Sequence, residues 1–308
     1  MNPLYNNATS IKILNIIASF RNEVESIEYF CKKIDEAFLK YNNIDYRIYF
    51  INDYSTDNSE NLIIDLKKKN KKIFLVSFKK NYGGSTSIHH GFDIIPDDQF
   101  ATVIDCDLQD PPELLAKEFN SIDTDTLVNF VRLGREEGLF QLFYTEVAYR
   151  FIRFVSNSKI IKDSNYFKII PPEVIKKIKQ SDEIYPYWNY FISNFSNKNK
   201  IVYYKRSNRN YGKSKFNIFS ANPWITFYSA LYYFKIKSYL LFFFLLFINY
   251  LTLIKFKNLL IIDFILGLSM LLQIINIFFF TVCNFVKYFI KRPKIKIDFH
   301  NEANYDRS

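Results

Sequence analysis

An α/β fold built around a parallel sheet is what this sequence predicts, on three observations. Apolar runs of five to eight residues, rich in Ile, Val, Phe and Tyr, alternate with helix-length stretches between residues 11 and 131. The first of these runs, Ile11 to Ala18, is β-branched and nearly all apolar, as in a strand buried on both faces. The fourth runs directly into Asp105-Cys106-Asp107, which puts two carboxylates at a strand's carboxyl end, where open α/β sheets bind ligands.

In chain order, Ile11 to Ala18 is the first strand, followed by an amphipathic helix from about Val24 to Tyr41. Tyr46 to Asn52 is the second strand and Ser59 to Lys69 the second helix. Ile73 to Ser77 makes the third strand, with a helix starting near Gly84. Phe100 to Ile104 is the fourth, stopped by Pro111 and Pro112 before a helix at Glu113, and Leu127 to Val131 is the fifth. Helices between parallel strands gather the strand-helix junctions on one edge, so Glu23, Asp53, Asn81 and Asp105 should share one crevice. The lysines from Lys67 to Lys72 lie at a predicted helix end, where the dipole favours cations, and read as a solvated face. His89 and His90 are adjacent on a helix and cannot face one metal together; a structural role is expected for His89.

Composition narrows the function classes. No Gly-X-Gly-X-X-Gly follows the first strand and no Gly-X-X-X-X-Gly-Lys-Ser/Thr occurs, which argues against a dinucleotide oxidoreductase and a P-loop phosphotransferase. Cys31, Cys106 and Cys283 show no paired spacing, so neither a disulfide framework nor a zinc site is indicated. The formal charge of +10 points to an anionic partner. Basic residues beside apolar helices face anionic lipid headgroups more often than nucleic acid, and no nucleic-acid partner is expected. Met1 to Ser10 is polar and lacks an apolar core, so no signal peptide is expected.

The last quarter differs sharply. Tyr239 to Ile254 and Leu259 to Ile290 are almost wholly apolar, and about 20 such residues span a bilayer as helix. A transmembrane hairpin over 236–290 follows, turning at Lys255-Phe256-Lys257-Asn258. Lys235 and Lys237 on one flank, with Lys287, Lys291, Arg292, Lys294 and Lys296 on the other, place both ends in the cytoplasm. Residues 216–235 read as interfacial amphipathic helices, and 291–308 as a basic, polar cytoplasmic tail. The expected localisation is therefore the cytoplasmic (inner) membrane, multi-pass, with the domain of residues 1–215 on the cytoplasmic face.

The segment Asp105-Cys106-Asp107-Leu108-Gln109-Asp110-Pro111-Pro112-Glu113 resembles a signature of the family 2 glycosyltransferases, in the branch acting on polyprenyl phosphates. Four further stretches match in the same order. Ala18-Ser19-Phe20-Arg21-Asn22-Glu23 is similar to the Pro-X-Tyr-Asn-Glu opening, and Asn52-Asp53-Tyr54-Ser55-Thr56-Asp57 to Asp-Asp-Gly-Ser-Thr-Asp. Asn81-Tyr82-Gly83 with Gly91 resembles the Asn-X-Gly loop, and Arg206, Arg209, Gly212, Ser214 and Lys215 a run preceding the membrane segments. Tyr54 departs from the pattern and should alter the turn, because a tyrosine adopts glycine's positive φ only at a cost.

The resemblance implies a GT-A domain, a Rossmann-like nucleotide-diphospho-sugar transferase, and an inverting enzyme of the cell envelope. Its donor would be a UDP- or GDP-sugar, and its acceptor a polyprenyl phosphate. It implies nucleotide-sugar binding by Ser19, Glu23, Asp53, Asn81 and Asp105, and Mg²⁺ or Mn²⁺ at Asp107 and Asp105. Hard oxygen ligands suit those ions. Candidates for the acceptor phosphate are Arg132, Arg135, Arg206, Arg209 and Lys215, arginine's planar fork matching phosphate geometry. Were the acceptor a sugar hydroxyl of a lipid-linked saccharide, a general base would be needed. Asp163 is the candidate, although Asp163 and Ser164 could equally form a turn. An inactive, sugar-nucleotide-binding membrane adaptor is the alternative outside catalysis; the intact Asp105 and Asp107 argue against it. Members of this branch often form oligomers, and nothing in these residues compels a homo-oligomer.

Overall fold

The computed structural model describes residues 11–122, 125–134, 146, 150, 161–180, 188–207 and 297–299. Strands and helices alternate as β1 (Lys12–Phe20), α1 (Ile27–Phe38), β2 (Ile44–Asn52), α2 (Ser59–Lys69), β3 (Ile73–Phe78), α3 (Gly84–Ile94), β4 (Phe100–Val103), α4 (Pro112–Ser121) and β5 (Thr126–Leu133). Beyond them come β6 (Ser164–Ile169), α5 (Pro172–Lys179), α6 (Trp188–Phe195), β7 (Lys198–Lys205) and β8 (Ile297–Phe299). All five predicted strands are present. The first helix starts later than its apolar pattern suggests, because Glu23 O accepts from both Ser26 N and Ile27 N and turns the chain first.

β1 pairs in parallel with β2 on one side and β4 on the other, and β3 continues in parallel beyond β2. The sheet order is β4-β1-β2-β3-β8. A second sheet, β6-β5-β7, adjoins β4 through reciprocal backbone bonds of 2.8 and 3.0 Å between Ala101 and Ile170. The chain lays down β1, β2 and β3 outward, then crosses back to place β4 against the free side of β1. That reversal makes the carboxyl ends of β1 and β4 the topological switch point, where such sheets hold ligands.

Side chains alternate along β1 between two cores. Leu14, Ile16, Ala18 and Phe20 pack with Phe30, Phe50 and Phe119 from α1, β2 and α4. Ile17 joins Tyr49, Ile51, Phe92 and Val174 on the opposite face, toward α3 and α5. Both faces are covered, as the unbroken apolar runs require. A Cβ at Gly91 would lie 2.4 Å from Ile17 Cγ2, so this glycine lets α3 lie close against β1.

The tail differs from its expected character. Residues Ile297–Phe299 are not merely polar tail but an edge strand, antiparallel to β3, with Val76 opposite Phe299 and Phe78 opposite Ile297. The apolar runs of 236–290, the stretch 216–235, and Arg135, Arg209 and Lys215 lie outside the described residues. Among the described residues no helix is long and apolar enough to cross a membrane.

One buried cation sits in the second sheet. Lys168 is fully buried, its Nζ donating to Asn129 Oδ1 at 2.6 Å and Ser164 Oγ at 2.5 Å. Burial lowers its pKa to about 7. Folding therefore buries a charged amine at low pH, and between about pH 7 and 10.4 it expels the proton that the unfolded lysine holds. That cost is complete below about pH 7 and shrinks as pH rises above it. We expect the difference in thermal midpoint between wild type and Lys168→Met to shift in favour of wild type between pH 7 and 8.5. A pH-independent difference would contradict this.

Candidate active site

The loops after β1 and β2 are laced together at the crevice. Asn22, with φ of 53°, donates its N–H to Ser55 Oγ at 3.0 Å and accepts from Thr56 N at 2.7 Å. Glu23 N donates to Ser59 Oγ at 2.9 Å. Asn52 is buried, donates to Glu60 Oε2 at 2.9 Å and accepts from Ser55 N at 2.8 Å. An aspartate there would have no proton for Glu60, which gives the departure at Asn52 a physical reason. Tyr54 does take the left-handed conformation, with φ of 63°, and is exposed. Such strain costs on the order of 1–3 kcal/mol and persists only where neighbours over-determine it. Here the flanking bonds from Asp53 N to Phe20 O (2.9 Å) and from Ser55 N to Asn52 fix it.

Asp53 ties these loops to the next junction. Its buried carboxylate accepts from Tyr82 N at 2.7 Å and Gly83 N at 2.9 Å. Burial raises its pKa, while the two N–H groups and Arg21 oppose the rise. Asn81 Oδ1 also accepts from Gly83 N, at 2.9 Å, and Gly83 has the positive φ of 86° that starts α3. Asp53 is thus first a clamp on the loop Asn81–Gly83, with lone pairs left over for a ligand. Ser19 is partly buried near the end of β1, Glu23 is partly buried and Asn81 is exposed, all at the same edge.

At the end of β4 the chain presents Asp105 and Asp107 around the buried Cys106. Asp105 is closely surrounded by protein, yet 58% of its side-chain surface meets solvent, as at the floor of an open cleft. Its carboxyl is pushed up to about 6, by loss of water first and then by repulsion from Asp107 and Asp110; Arg206 and Arg132 pull it down. Asp107 is buried, accepts from Gln109 N at 3.2 Å, and is followed by Leu108 at φ 53°. An exposed and a buried hard carboxylate crowded at one strand end suit a divalent cation that keeps places for substrate phosphates. Among the described residues no group of three or more His, Cys, Asp or Glu is arranged to hold a metal. Because a proton competes for a carboxyl whose pKa is near 6, Mn²⁺ affinity should weaken as pH falls from 7 to 5. Titration calorimetry at both values checks it; equal affinities would remove Asp105 from the site.

A second cluster lies beside this floor. Asp110, buried, accepts from Tyr204 O–H at 2.6 Å and stands 3.5 Å from Arg132 Nη2 and 3.3 Å from Arg206 Nε. Arg132 Nε donates to Tyr204 Oη at 3.1 Å. The Asn165 amide, assigned with its oxygen toward Arg132, accepts from Nη1 and Nη2 at 2.9 and 3.1 Å. Arg206 reaches back to within 3.8 Å of Asp105. Two guanidinium groups from β5 and the end of β7 are thereby gathered beside the carboxylate pair. Asp163 occupies a turn at φ 58° just before β6, and its carbonyl accepts from Arg132 N at 3.1 Å. Sequence reasoning had no sign of Asn165 or Tyr204, and it read Asp110 only as part of a motif.

These features occur in a chain whose residues 16–179, more than half of its length, match the family model described as Glycosyl transferase family 2. The chain is 30% identical over 209 residues to the prophage bactoprenol glucosyl transferase homolog of Escherichia coli (strain K12), covering 66% of this chain and 67% of that protein. It is 28% identical over 206 residues to the bactoprenol glucosyl transferase of Shigella phage SfX, with coverage of 66% and 67%. The match therefore spans about two thirds of these relatives' length. In fold it is similar to S. aureus TarS in complex with UDP-GlcNAc, at a TM-score of 0.50 and 15% identity, over 73% of this chain and 66% of that one. The α/β domain is a GT-A, Rossmann-like one, and the chain belongs to glycosyl transferase family 2.

Proposed function

We propose that this protein is an inverting transferase that moves a sugar from a UDP- or GDP-sugar to a membrane polyprenyl phosphate. The observation that carries the reading is the carboxylate pair at the switch point, Asp105 exposed and Asp107 buried, with Arg132 and Arg206 beside it. Ser19, Glu23, Asp53 and Asn81 line the crevice edge that would take the nucleotide. Mg²⁺ or Mn²⁺ at Asp107 and Asp105 would act there as a Lewis acid toward the departing diphosphate. An acceptor phosphate oxygen forms the new bond to the sugar's C1 as the bond from C1 to the diphosphate oxygen breaks, and the nucleoside diphosphate leaves with the electron pair. A phosphate monoester has its second pKa at about 6, so near neutrality it needs no general base. Cations to position it are what it needs. Arg132 and Arg206 fill that role, with Arg135, Arg209 and Lys215 as further candidates beyond the described residues.

The membrane part of the reading has its own support. The two apolar runs are long enough for a hairpin over 236–290. The pairing of β8 with β3 keeps residues 297–299 with the domain formed by residues up to 207, which agrees with an even number of crossings between them. The relatives named for bactoprenol glucosyl transfer favour a lipid phosphate over a free acceptor. Residues 1–215 are then the cytoplasmic catalytic domain at the inner membrane, with 216–235 at its interface.

Membranes containing the chain, incubated with a panel of labelled UDP- and GDP-sugars, provide the test. The expected product is a lipid-linked monosaccharide labile to mild acid. An elongated saccharide would favour a hydroxyl acceptor with Asp163 as base, and no transfer from any donor would favour an inactive adaptor.

A further inference from the structure

We infer that Asp110 is a positioning residue for the acceptor phosphate, acting by holding Arg132 and Arg206 together at the edge of the cleft. The inference rests on the polyprenyl-phosphate reading above and adds to it the group that shapes the phosphate site. Asp110 belongs to the loop after β4, Arg132 to β5, and Tyr204 and Arg206 to β7 and its exit, so three separate elements meet on this carboxylate. The side chain is 4% exposed; it accepts a hydrogen bond from the Tyr204 hydroxyl at 2.6 Å and makes ion pairs, without hydrogen bonds, to Arg206 Nε at 3.3 Å and Arg132 Nη2 at 3.5 Å. It leaves little surface for a ligand of its own, and its contacts are with groups that can reach one.

The geometry of the arginines supports this. Two guanidinium groups drawn to one site repel each other unless an anion lies between them, and Asp110 is that anion. Arg132 is further braced by Tyr204 at Nε and Asn165 at both Nη atoms, which fixes the plane of its fork. Arg206 spans from Asp110 toward Asp105, so its head bridges the Asp110 cluster and the carboxylate pair. The loop is itself tied to the end of β7, since Ser207 N donates to Gln109 O at 3.0 Å. A planar fork held in a set orientation recognises phosphate, whereas a swinging one contributes only charge.

Charge and position make opposite forecasts. If Asp110 acted only through its negative charge, removing that charge would make the cleft more positive and strengthen anion binding. If it positions the arginines, removal weakens phosphate binding despite the gain in positive charge. Binding of farnesyl phosphate and of farnesol to the full chain in detergent separates the two. We expect the wild type to prefer the phosphate, and Asp110→Asn to lose about tenfold of that preference, the scale of a hydrogen bond to a charged group. UDP and GDP binding should change less than about twofold for the better-bound nucleotide, because the Asp53 clamp is untouched. Should Asp110→Asn fail to fold, Tyr204→Phe carries the same test, with an expected loss of about threefold. An unchanged or larger phosphate preference in the variant overturns the assignment. A wild type that binds both lipids equally overturns the acceptor reading itself, and the assignment with it.

Discussion

Asp107→Ala is expected to lower sugar transfer by about a thousandfold or more, roughly 4 kcal/mol of transition-state stabilisation. As the glycosidic bond breaks, the departing diphosphate gains negative charge beside carboxylates already repelling one another at the cleft floor. Without a cation held there, that charge would meet Asp105 and Asp110, offset only by Arg206 and Arg132. Asp107 is the buried member of the pair, seated against Gln109 N, and is the better fixed ligand. Asp105 is the more open one, suited to water-mediated contact or the ribose. The fold should tolerate the change, since Asp107 sits in a loop beyond β4. Initial rates with Mg²⁺ and with Mn²⁺, alongside a thermal midpoint, check both statements. Substantial turnover with either ion would contradict the metal assignment.

Asp53→Ala should weaken donor binding by about a hundredfold for a different reason. The carboxylate receives two backbone N–H groups, and removing it leaves both without that acceptor. Hydrogen bonds to a charged group contribute on the order of 1.5–3 kcal/mol, and only Gly83 N keeps a second acceptor in Asn81 Oδ1, so the loop Asn81–Gly83 would loosen and the start of α3 with it. Ordering that loop again when the nucleotide arrives then subtracts from binding free energy. The expected signature is a large rise in the dissociation constant for UDP or GDP, with Mn²⁺ affinity in the absence of nucleotide little changed. A matched loss of both would mean that the whole crevice edge had collapsed; unchanged nucleotide affinity would limit Asp53 to a loop brace.

The sheet was legible because its information is local. A strand such as Ile73–Phe78 announces itself by β-branched and aromatic residues, and the crevice follows from where strands give way to helices. The acid pair was legible too, because both members lie within three consecutive residues at one strand end. The second sheet was harder. β7 opens on Lys198-Asn199-Lys200 and its apolar run, Ile201 to Tyr204, is only four residues long, while β6 mixes polar, aromatic and charged residues. The pairing of Asp110 with Tyr204 joins positions 94 apart, and Asn165 with Arg132 depends on the β5–β6 pairing; no local pattern encodes either. Tyr54 illustrates another limit. A tyrosine at a glycine position suggested an altered turn, whereas the hydrogen bonds of Asn52 and Asp53 hold the left-handed conformation. Tertiary restraint outweighed the local preference.

The account rests on the carboxylate pair after β4 joining a divalent cation to a nucleotide diphosphate. Titrating Mn²⁺ into the full chain by electron paramagnetic resonance, with UDP or GDP present, tests this most directly. Wild type should bind one Mn²⁺ per chain with at least one of the two nucleotides, and Asp107→Ala should bind none at the same concentrations. Equal Mn²⁺ binding by wild type and variant would contradict it.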